Sequence, residues 1–349
     1  MVVSIPAQAK KTFGAASPRL GEFQRFTLST RLLIQKGTLT EGRDPQSAPR
    51  PFRIELGEST SSMSSRLQSE GFITSASAFR NYLLYSGLDT SIQAGEFMLS
   101  AAQSPVEIAQ ALQDATPTEV TFGVLAGWRM EEIAAALPTS GLSITAEDFL
   151  TAARSHPQGY VFAQDMPPSS TFEGFLSPGV YELPRDTTAA ELVATLAGRF
   201  SDQLAEDILQ GIQNQRLTIY QAVTLASIVE REAVLEEEMP TIASVFLNRL
   251  SSGMKLDSDP TVQYAAGYNA SQKTWWMNPV LDTNLASPYN TYRNPGLPPG
   301  PISNPGSPAL RAVAFPAQTG YYYFRAACDH SGRHVFAATY EEHKANACP

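Results

Sequence analysis

The first half of the chain contains an internal repeat, which constrains the fold more than any other feature of the sequence. The segment "FRIELGESTSSMSSRL" aligns with "VTFGVLAGWRMEEIAAAL" at an offset of 70 residues, and the offset becomes 84 further along. The extra residues fall in "SHPQGYVFAQDMPPSS", whose Pro, Ser and Gly content is typical of an inserted surface loop. The repeat therefore predicts one small unit built twice. The matched pairs are Gly57 with Gly127, Met63 with Ile133, Leu67 with Leu137, Phe79 with Phe149, Gly95 with Gly179, Ile108 with Leu192, and Leu112 with Leu196.

Each copy is predicted to run strand, glycine turn, helix, helix, strand, helix. Apolar and polar residues alternate in "FRIEL" and "VTFGV", which indicates strands, and apolar positions recur at helical spacing in the segments that follow. A short unit of this order resembles the LysM module, a small fold often found on cell-wall glycans. The alternative is a generic α/β packing unit without a ligand, and the pattern alone leaves both readings open.

A second informative segment is "TLASIVEREAVLEEEM", residues 224–239, which holds five glutamates at the end of a predicted helix. Thr218, with Gln221 three residues later, is a capping-box signal for the start of that helix. The run from Ala222 to Val229 is apolar on nearly every side, which is typical of a helix buried at the centre of a domain.

Glu230 is the candidate acid among these glutamates. At about 100° per residue it lies in line with Val223, Ala226 and Val234, and such neighbours raise the pKa of a carboxyl by removing water from its charged form. A carboxyl in that state suits a general acid near neutral pH. The alternative is a buried salt bridge from Glu230 to a residue such as Arg249. Spacing alone does not decide between the two.

The other four glutamates are given lesser roles. Glu232 has an apolar neighbour on one side only, so it is assigned a supporting role. Glu236, Glu237 and Glu238 are consecutive and must point in different directions around the helix, so they are predicted to form a solvated face.

Residues 288–308 are crowded with Pro and Gly, yet Tyr and Asn side chains are interspersed among them. A Tyr ring stacks on a pyranose and an amide bonds hydroxyl or acetamido groups, so this loop suits sugar recognition, although a rigid connector is the alternative. Asp257 and Asp259 in "LDSDP" are candidates for a second carboxylate. Because Asp before Pro is commonly a turn or a cap, Asp259 is read as structural or substrate-positioning.

The segment "CDHSGRH" offers Cys328, His330 and His334, which superficially suggests a metal site. It lies between two strand-like runs, "YYYFRAA" and "HVFAAT", with Asp, Ser and Gly at the bend. A hairpin turn is therefore the simpler reading, and no metal or other cofactor is predicted. Trp275 and Trp276 in "TWWMNP" either flank a glycan groove or fill the core, and one of them is assigned to the core.

The charge of the chain limits the classes of partner. The 349 residues carry a net charge of −9, which argues against nucleic-acid binding because that affinity rests on Lys and Arg neutralising phosphates. The first 50 residues are the exception, with eight Lys and Arg against three Asp and Glu. Such a leader is predicted to be a tether, or less often a patch for anionic lipid. No apolar run approaches the ~18 residues of a membrane span, and no signal peptide is visible.

Taken in order, several motifs are similar to those of the endolytic murein transglycosylase (YceG-like) family over nearly the whole chain past residue 50. Distinct motifs in the right order make a more specific signal than any one of them. The resemblance places the catalytic glutamate of the "ASIVE" motif at Glu230. The matching stretches are "AGWRMEEIA", "FEGFLSPGVYELP", "LASIVERE", "ASVFLNRL", "GMKLDSDPTVQY", "SPYNTY", "GLPPGPISNPG", "YYYF" and "HVF".

The resemblance implies an α+β fold in which tandem LysM-like βααβα units precede a mainly helical, lysozyme-like catalytic domain with a C-terminal β-hairpin. We expect a truncated basic tether at residues 1–50, LysM-like units at 51–116 and 117–200, and the catalytic transglycosylase domain at 201–349.

The resemblance also implies a location and partners. The family is anchored in the cytoplasmic membrane by a single N-terminal span, which this sequence lacks, with the catalytic part outside the cytoplasm. That location fits a disulfide between Cys328 and Cys348, although the cysteines do not look like a family feature. The implied partners are peptidoglycan glycan strands and peptidoglycan synthases.

The implied reaction is endolytic cleavage of the β-1,4 bond between N-acetylmuramic acid and N-acetylglucosamine, which leaves 1,6-anhydro ends. One glutamate acts as acid and then as base, so neither a metal nor a second carboxylate is required, unlike in ordinary glycosidases. The alternatives are a hydrolytic muramidase and a non-catalytic cell-wall binding or scaffolding protein. We predict substrate contacts by Asn248, Asp259, Gln263, Tyr289, Asn290, Thr291 and Tyr292, with Ser227, Glu232 and Arg249 in supporting roles.

Overall fold

The computed structural model describes residues 4–115, 119–278 and 282–348. Helices predominate in these segments and the strands pair into small two-stranded antiparallel sheets, so the prediction of an α+β fold is confirmed. The chain divides into two compact units, Met1–Thr118 and Glu119–Pro349, and each unit has its own hydrophobic core. Within the described segments, no helix is long and apolar enough to cross a membrane.

The first unit begins with three helices, where the sequence had suggested a tether. Leu32 and Leu39 of this segment are fully buried in the same core as the first repeat copy. The structure therefore corrects the expected tether at residues 1–50. The basic side chains are exposed, on these helices or in the segments between and after them, so a basic composition was compatible with a packed segment. The helices are α1 (Ser4–Phe13), α2 (Glu22–Ile34) and α3 (Lys36–Thr40).

The first repeat copy has the predicted order of strand, two helices, strand and helix. Its two strands pair antiparallel with Arg50 opposite Leu99, and Ser59, Ser75 and Ser104 cap the three helices through their side chains. The elements are β1 (Arg50–Ile54), α4 (Thr60–Ser69), α5 (Ala76–Ser86), β2 (Gly95–Leu99) and α6 (Pro105–Ala111).

The second copy, at the start of the second unit, repeats that order. Its strands also pair antiparallel, with Val124 opposite Gly179. The segment predicted as an insertion, residues 155–170, lies in the connection between the second helix and the second strand, which spans residues 154–178. The elements are β3 (Glu119–Val124), α7 (Met130–Ala136), α8 (Ala146–Ala153), β4 (Gly179–Pro184) and α9 (Ala189–Gln203).

Matched positions in the two copies have the same environment, which confirms the sequence alignment of the repeat. Gly57 and Gly127 have φ angles of +82° and +78°, and Gly95 and Gly179 have φ angles of +154° and +152°, a region that side chains disfavour. The apolar pairs are all buried: Met63 with Ile133, Leu67 with Leu137, Phe79 with Phe149, Ile108 with Leu192, and Leu112 with Leu196.

The rest of the second unit is mainly helical and is built around α11. The capping box of Thr218 and Gln221 opens this helix as predicted, and every residue from Ala222 to Val229 is buried against α12, α13 and α14. The helical part and the second repeat copy share one hydrophobic core. The helices are α10 (Glu206–Asn214), α11 (Ile219–Glu232), α12 (Met239–Ser251), α13 (Asp259–Ala266), α14 (Ser307–Ala314) and α15 (Tyr340–Ala345).

A β-hairpin near the C-terminus confirms the reading of "CDHSGRH" as a turn. Strands β5 (Tyr323–Ala326) and β6 (His334–Ala337) pair antiparallel on either side of it. Cys328 in the turn forms a disulfide with Cys348, beyond α15, with their Cα atoms 5.4 Å apart. The two thiols are thus bonded to each other, and the hairpin is covalently joined to the chain after α15.

Candidate active site

The end of α11 carries Glu230 and Glu232 on different sides of the helix. Two residues correspond to a rotation of about 200° in a helix of 3.6 residues per turn, so the two carboxyls meet different parts of the protein. The apolar residues of α11 pack in the core and hold the C-terminal end of the helix in place. The residues around each carboxyl therefore determine which of the two is suited to catalysis.

Glu230 lies against the beginning of another helix. Its Oε2 accepts a hydrogen bond of 2.9 Å from the backbone N–H of Gly306, the N-cap residue directly before α14. Gly127 also packs near its side chain, and the Gly127 N–H donates to Asn304 O at 2.8 Å. Burial raises the pKa of Glu230, while the Gly306 N–H opposes that shift. Its carboxyl therefore has a backbone partner, whereas Arg249, the alternative partner considered from the sequence, bonds to Leu256 O.

Glu232 lies in a polar cleft of about 200 Å³, together with three residues that the sequence had assigned to the site. Those residues are Arg249, Asp259 and Tyr292. The Glu232 Oε1 accepts a hydrogen bond of 2.6 Å from the Ser258 hydroxyl. The structure therefore groups the predicted cleft residues around Glu232, which the sequence had given only a supporting role.

The environment of Glu232 raises the pKa of its carboxyl to the neutral range. Burial is the main cause that raises the pKa of Glu232 to about 7, and the negative charge of Asp259 raises it further. The Ser258 hydrogen bond and the positive charges of Arg249 and Arg231 act in the opposite direction. A carboxyl of this kind can give up a proton and take one back at neutral pH, which general acid–base catalysis requires.

Two loops hold the cleft together through buried threonines. The Thr291 Oγ1 accepts a hydrogen bond from the Ser258 N–H at 3.0 Å and lies 2.9 Å from the Thr261 Oγ1. Asp257, directly before Ser258, has a φ of +47°, a backbone conformation that is uncommon for a residue other than glycine. Thr291 thus holds the loop that presents Ser258 and Asp259.

Arg249 and Asn248 join α12 to the hairpin at the edge of the cleft. The Arg249 Nε donates to Tyr322 O at 2.6 Å, and its Nη1 donates to Leu256 O at 2.7 Å. The Asn248 Nδ2 donates to Thr319 O at 3.0 Å and to Tyr321 O at 2.9 Å. Of these two predicted residues, Arg249 lines the cleft, while Asn248 supports the segment before β5.

The remaining predicted residues support the loops or line another cavity. Ser227 is buried and accepts a hydrogen bond from the Ile302 N–H at 3.0 Å. The Gln263 Nε2 donates to Met277 O at 2.7 Å. Asn290 is buried and its Nδ2 donates to two carbonyls of its own loop. Tyr289 lines a second cavity, and the Tyr292 hydroxyl donates to Asp259 Oδ1 at 2.7 Å.

Glu238 differs from the solvated position that the sequence predicted. It is 8% exposed, and its Oε2 lies 2.8 Å from the Nδ1 of His334, which lines the cleft. Helix α11 ends at Glu232 and the chain turns before α12, so the expectation of a solvated helix surface did not apply to Glu238. Glu236 and Glu237 are exposed, as predicted.

Sequence reasoning missed the role of Ser258 and gave no weight to Glu173. Ser258 stands inside the quoted "LDSDP", but its pairing with a glutamate 26 residues earlier has no signal in spacing. Glu173, in "FEGF", is a buried carboxyl next to the second cavity. Trp276 packs on the core while its Nε1 donates to Glu132 at 2.9 Å, which agrees with assigning one Trp to the core.

Comparison with known proteins gives the family. The model of the YceG-like family matches residues 52–348. The chain belongs to the YceG-like family.

Named relatives and a solved structure agree with this membership. An endolytic murein transglycosylase of Bacillus subtilis is 31% identical over 305 residues, which cover 84% of this chain and 82% of that protein. One of Streptococcus pneumoniae is 27% identical over 320 residues, but the chain spans only 57% of its length. A crystal structure of a yceG-like protein from Listeria monocytogenes is similar with a TM-score of 0.55 at 28% identity, covering 85% of this chain and 98% of that one.

In this YceG-like chain the cleft lies wholly inside the matched region. Glu232 belongs to "LASIVERE", Asp259 to "GMKLDSDPTVQY" and Tyr292 to "SPYNTY", so three separate motifs converge on one site. The site offers one carboxyl that is protonated near neutrality, a second carboxylate and a fixed guanidinium. Such a site is suited to proton transfer on a polar substrate.

Proposed function

We propose that this protein is a lytic transglycosylase that cleaves peptidoglycan glycan strands internally, with Glu232 as its acid and base. The single observation that carries the proposal is the placement of Glu232 in the polar cleft with Asp259, Arg249 and Tyr292. The relatives' name, endolytic murein transglycosylase, supports the substrate and the reaction class.

In the proposed reaction, protonated Glu232 gives its proton to the glycosidic oxygen as the bond from that oxygen to C1 of the N-acetylmuramic acid breaks. The carboxylate then takes the proton of the C6 hydroxyl of the same sugar as that oxygen bonds to C1. The product end is a 1,6-anhydro ring, and Glu232 is returned to its starting state. The fixed guanidinium of Arg249 supports the site electrostatically.

For Glu230 we propose a different role from the catalytic one that the family resemblance implied. The Gly306 N–H already bonds the Glu230 carboxyl, which lies at the positive end of α14 and outside the cleft. We therefore transfer the catalytic role within the same motif from Glu230 to Glu232.

The test compares two isosteric variants on one helix. We expect Glu232→Gln to lower the release of 1,6-anhydro ends from purified sacculi by about 100-fold or more, the usual effect of removing a general acid. Glu230→Gln is the matched control and should keep most of the activity, with circular dichroism confirming that both variants are folded. An active Glu232→Gln variant, or an inactive but folded Glu230→Gln variant, would return the role to Glu230.

A hydrolytic muramidase is the second candidate, because Asp259 places another carboxylate in the same cleft. Ordinary glycosidases use such a pair, with one carboxyl as acid and the other as nucleophile or water-activating base. Mass spectrometry of the products separates the two reactions, since an anhydro end is lighter than a hydrolysed end by one water. Reducing ends as the main product would favour the muramidase.

The alternative of a non-catalytic glycan-binding protein is favoured by a feature of the first repeat copy. A cavity of about 240 Å³ lies between the turn after β1 and the segment before β2, and Leu56 at its edge is 94% exposed. We propose that this LysM-like copy holds glycan for the cleft. If it were the whole function, wild type and Glu232→Gln would bind sacculi equally and neither would cleave them.

A further inference from the structure

A second cavity of the same unit has no part in the proposed reaction. It has a volume of about 310 Å³ and shares no lining residue with the cleft around Glu232. Its walls come from the inserted segment 154–178, from the loop 299–301, and from tyrosines on α11, on α13 and in the "SPYNTY" motif. The cavity therefore brings together α11, α13 and the "SPYNTY" motif, each of which also contributes a residue to the cleft around Glu232.

Three tyrosines supply aromatic faces and fixed hydroxyls. The rings of Tyr264 and Tyr289 lie 4.8 Å apart. The Tyr220 ring stacks on Phe175 at 6.1 Å, and its hydroxyl donates to Pro299 O at 3.1 Å. Aromatic rings that carry held hydroxyls combine stacking with hydrogen bonding, which is the usual lining of a site for a polar organic ring.

The loop opposite the tyrosines comes unusually close to them. A Cβ atom at Gly300 would overlap the Tyr220 hydroxyl and would lie 3.4 Å from the Tyr289 hydroxyl. Gly174, with a φ of +88°, lets the inserted segment pass against Pro301 in a similar way. Glycine at these two positions allows the backbone approach that shapes the cavity.

The two titratable side chains of the cavity wall outside the tyrosines, Glu173 and Arg154, both have partners. Glu173 is buried and its carboxyl accepts hydrogen bonds from the Met130 N–H at 3.1 Å and from the Asn304 Nδ2 at 3.2 Å. Burial raises the pKa of Glu173 to about 8, so it keeps its proton. Arg154 at the rim lies 3.6 Å from the carboxylate of Glu131. A neutral ligand rich in hydroxyl groups suits this wall better than an acidic peptide.

The cavity and the cleft are neighbours along the same two elements. Helix α13 carries Asp259 in the cleft and Tyr264 in the cavity, five positions later, which corresponds to about 7.5 Å along the helix axis. The "SPYNTY" motif carries Tyr292 in the cleft and Tyr289 in the cavity. The two sites therefore occupy different positions of the same two elements.

We propose that this cavity is a separate subsite that binds a neutral N-acetylated sugar of the glycan strand, away from the bond that is cleaved. The tyrosine rings stack on the sugar, and the tyrosine hydroxyls and the backbone of the 299–301 loop bond its hydroxyl and acetamido groups. The inference rests on the proposed function in one respect, since it takes the ligand to be the strand that the cleft cleaves.

The test measures binding instead of turnover, with chitohexaose, a neutral β-1,4 N-acetylglucosamine oligomer, as the probe. Its Kd is measured by calorimetry on the full chain carrying Glu232→Gln. Adding Ser169→Trp fills the cavity from its exposed rim. We expect this change to weaken binding about tenfold or more, which is ~1.4 kcal/mol. Thr195→Trp, at an exposed position of α9 that lines neither site, is the matched control and should bind as the parent does.

A second variant avoids added bulk. Tyr264→Phe with Tyr289→Phe removes two hydroxyls and keeps both rings, and should weaken binding by a smaller factor. Three results would overturn the proposal: no binding of chitohexaose to the parent, equal affinity in the Ser169→Trp and Thr195→Trp chains, or binding only of fragments that carry stem peptides. Cleavage by the chain with Glu232 intact is measured separately. Chitohexaose binding without anhydro products would therefore reject the proposed activity and keep the subsite.

Discussion

The acidity of Glu232 is set by neighbours that can be changed one at a time. Burial raises the pKa of its carboxyl to about 7 and the charge of Asp259 raises it further, while the Ser258 hydroxyl stabilises the charged form. Because the first proposed step needs the protonated carboxyl, we expect kcat/KM for glycan cleavage to fall as the pH rises above about 7.

The fall of kcat/KM at high pH is the alkaline limb of the pH profile. Two substitutions should move this limb in opposite directions. Asp259→Asn removes a negative charge that favours the proton, so the pKa of Glu232 falls and the limb moves to lower pH. Ser258→Ala removes a donor to the carboxylate, so the pKa rises and the limb moves to higher pH. Profiles of kcat/KM against pH for the two variants check this. Shifts in the same direction would show that another group controls the rate.

The raised pKa of Glu173 leads to a prediction about how the free energy of unfolding depends on pH. Its pKa is near 4.5 when unfolded and is raised by burial to about 8 when folded, so the folded state holds a proton that the unfolded state has lost between these values. This contribution to stability is fully present below about pH 4.5 and is lost as the pH rises through about 8. The slope from one such group is at most about 1.4 kcal/mol per pH unit.

Urea unfolding between pH 5 and pH 9 (roughly the range in which such a group titrates) tests this prediction. We expect Glu173→Gln to lose less stability than the wild type as the pH rises, because the amide does not titrate. Glu147→Gln, at an exposed position of α8, is the control and should follow the wild type. Parallel curves for the wild type and Glu173→Gln would contradict the assigned pKa.

At the scale of elements, the stability of the C-terminal hairpin is expected to depend on the disulfide bond. Strand β5 and His334 of β6 line the cleft, and the disulfide from Cys328 to Cys348 joins the hairpin turn to the chain after α15 across a sequence separation of 20 residues. Loops of about this length gain ~3 kcal/mol from closure. We expect reduction of the disulfide, or Cys348→Ser, to lower the free energy of unfolding of this region by about 2–4 kcal/mol.

Thermal unfolding with and without reductant measures the effect of the disulfide. The melting temperature of the wild type should fall on reduction. The melting temperature of the variant carrying both Cys328→Ser and Cys348→Ser should be the same with and without reductant. A wild-type melting curve that reductant leaves unchanged would show that the bridge does not stabilise the hairpin.

The elements that the sequence predicted best are those whose signal is local. The capping box at Thr218, the buried face of α11 and the two βααβα copies follow from periodicity and turn residues, and the structure contains each of them. The choice between Glu230 and Glu232 was not local, because it depends on where Ser258 and Gly306 return to the end of the helix. Glu238 was misplaced for the same reason, since its partner His334 is 96 residues away.

At the scale of the whole molecule, the cleft residues and the second cavity all lie in the second unit. The core of that unit includes no residue of the first unit, whose core is separate. We therefore expect a fragment of residues 119–349 to fold and to release anhydro ends from short, soluble glycan strands at a rate within about threefold of the full chain.

The fragment is compared with the full chain on short strands and on intact sacculi. A larger loss on sacculi than on short strands would show that the first unit acts in holding the polymer. Failure of the fragment to fold, seen as the loss of cooperative unfolding, would show that the two cores are not independent.

The two repeat copies differ mainly in one connection, and this has a consequence for engineering. Between the second helix and the second strand the first copy has residues 87–94, whereas the second has residues 154–178, and both copies keep the same paired strands and buried positions. The fold of the repeat unit therefore tolerates long insertions between its second helix and its second strand. The connection in the first copy is a natural place to transplant a recognition loop, and the second copy already shows that such a loop can furnish walls for a cavity.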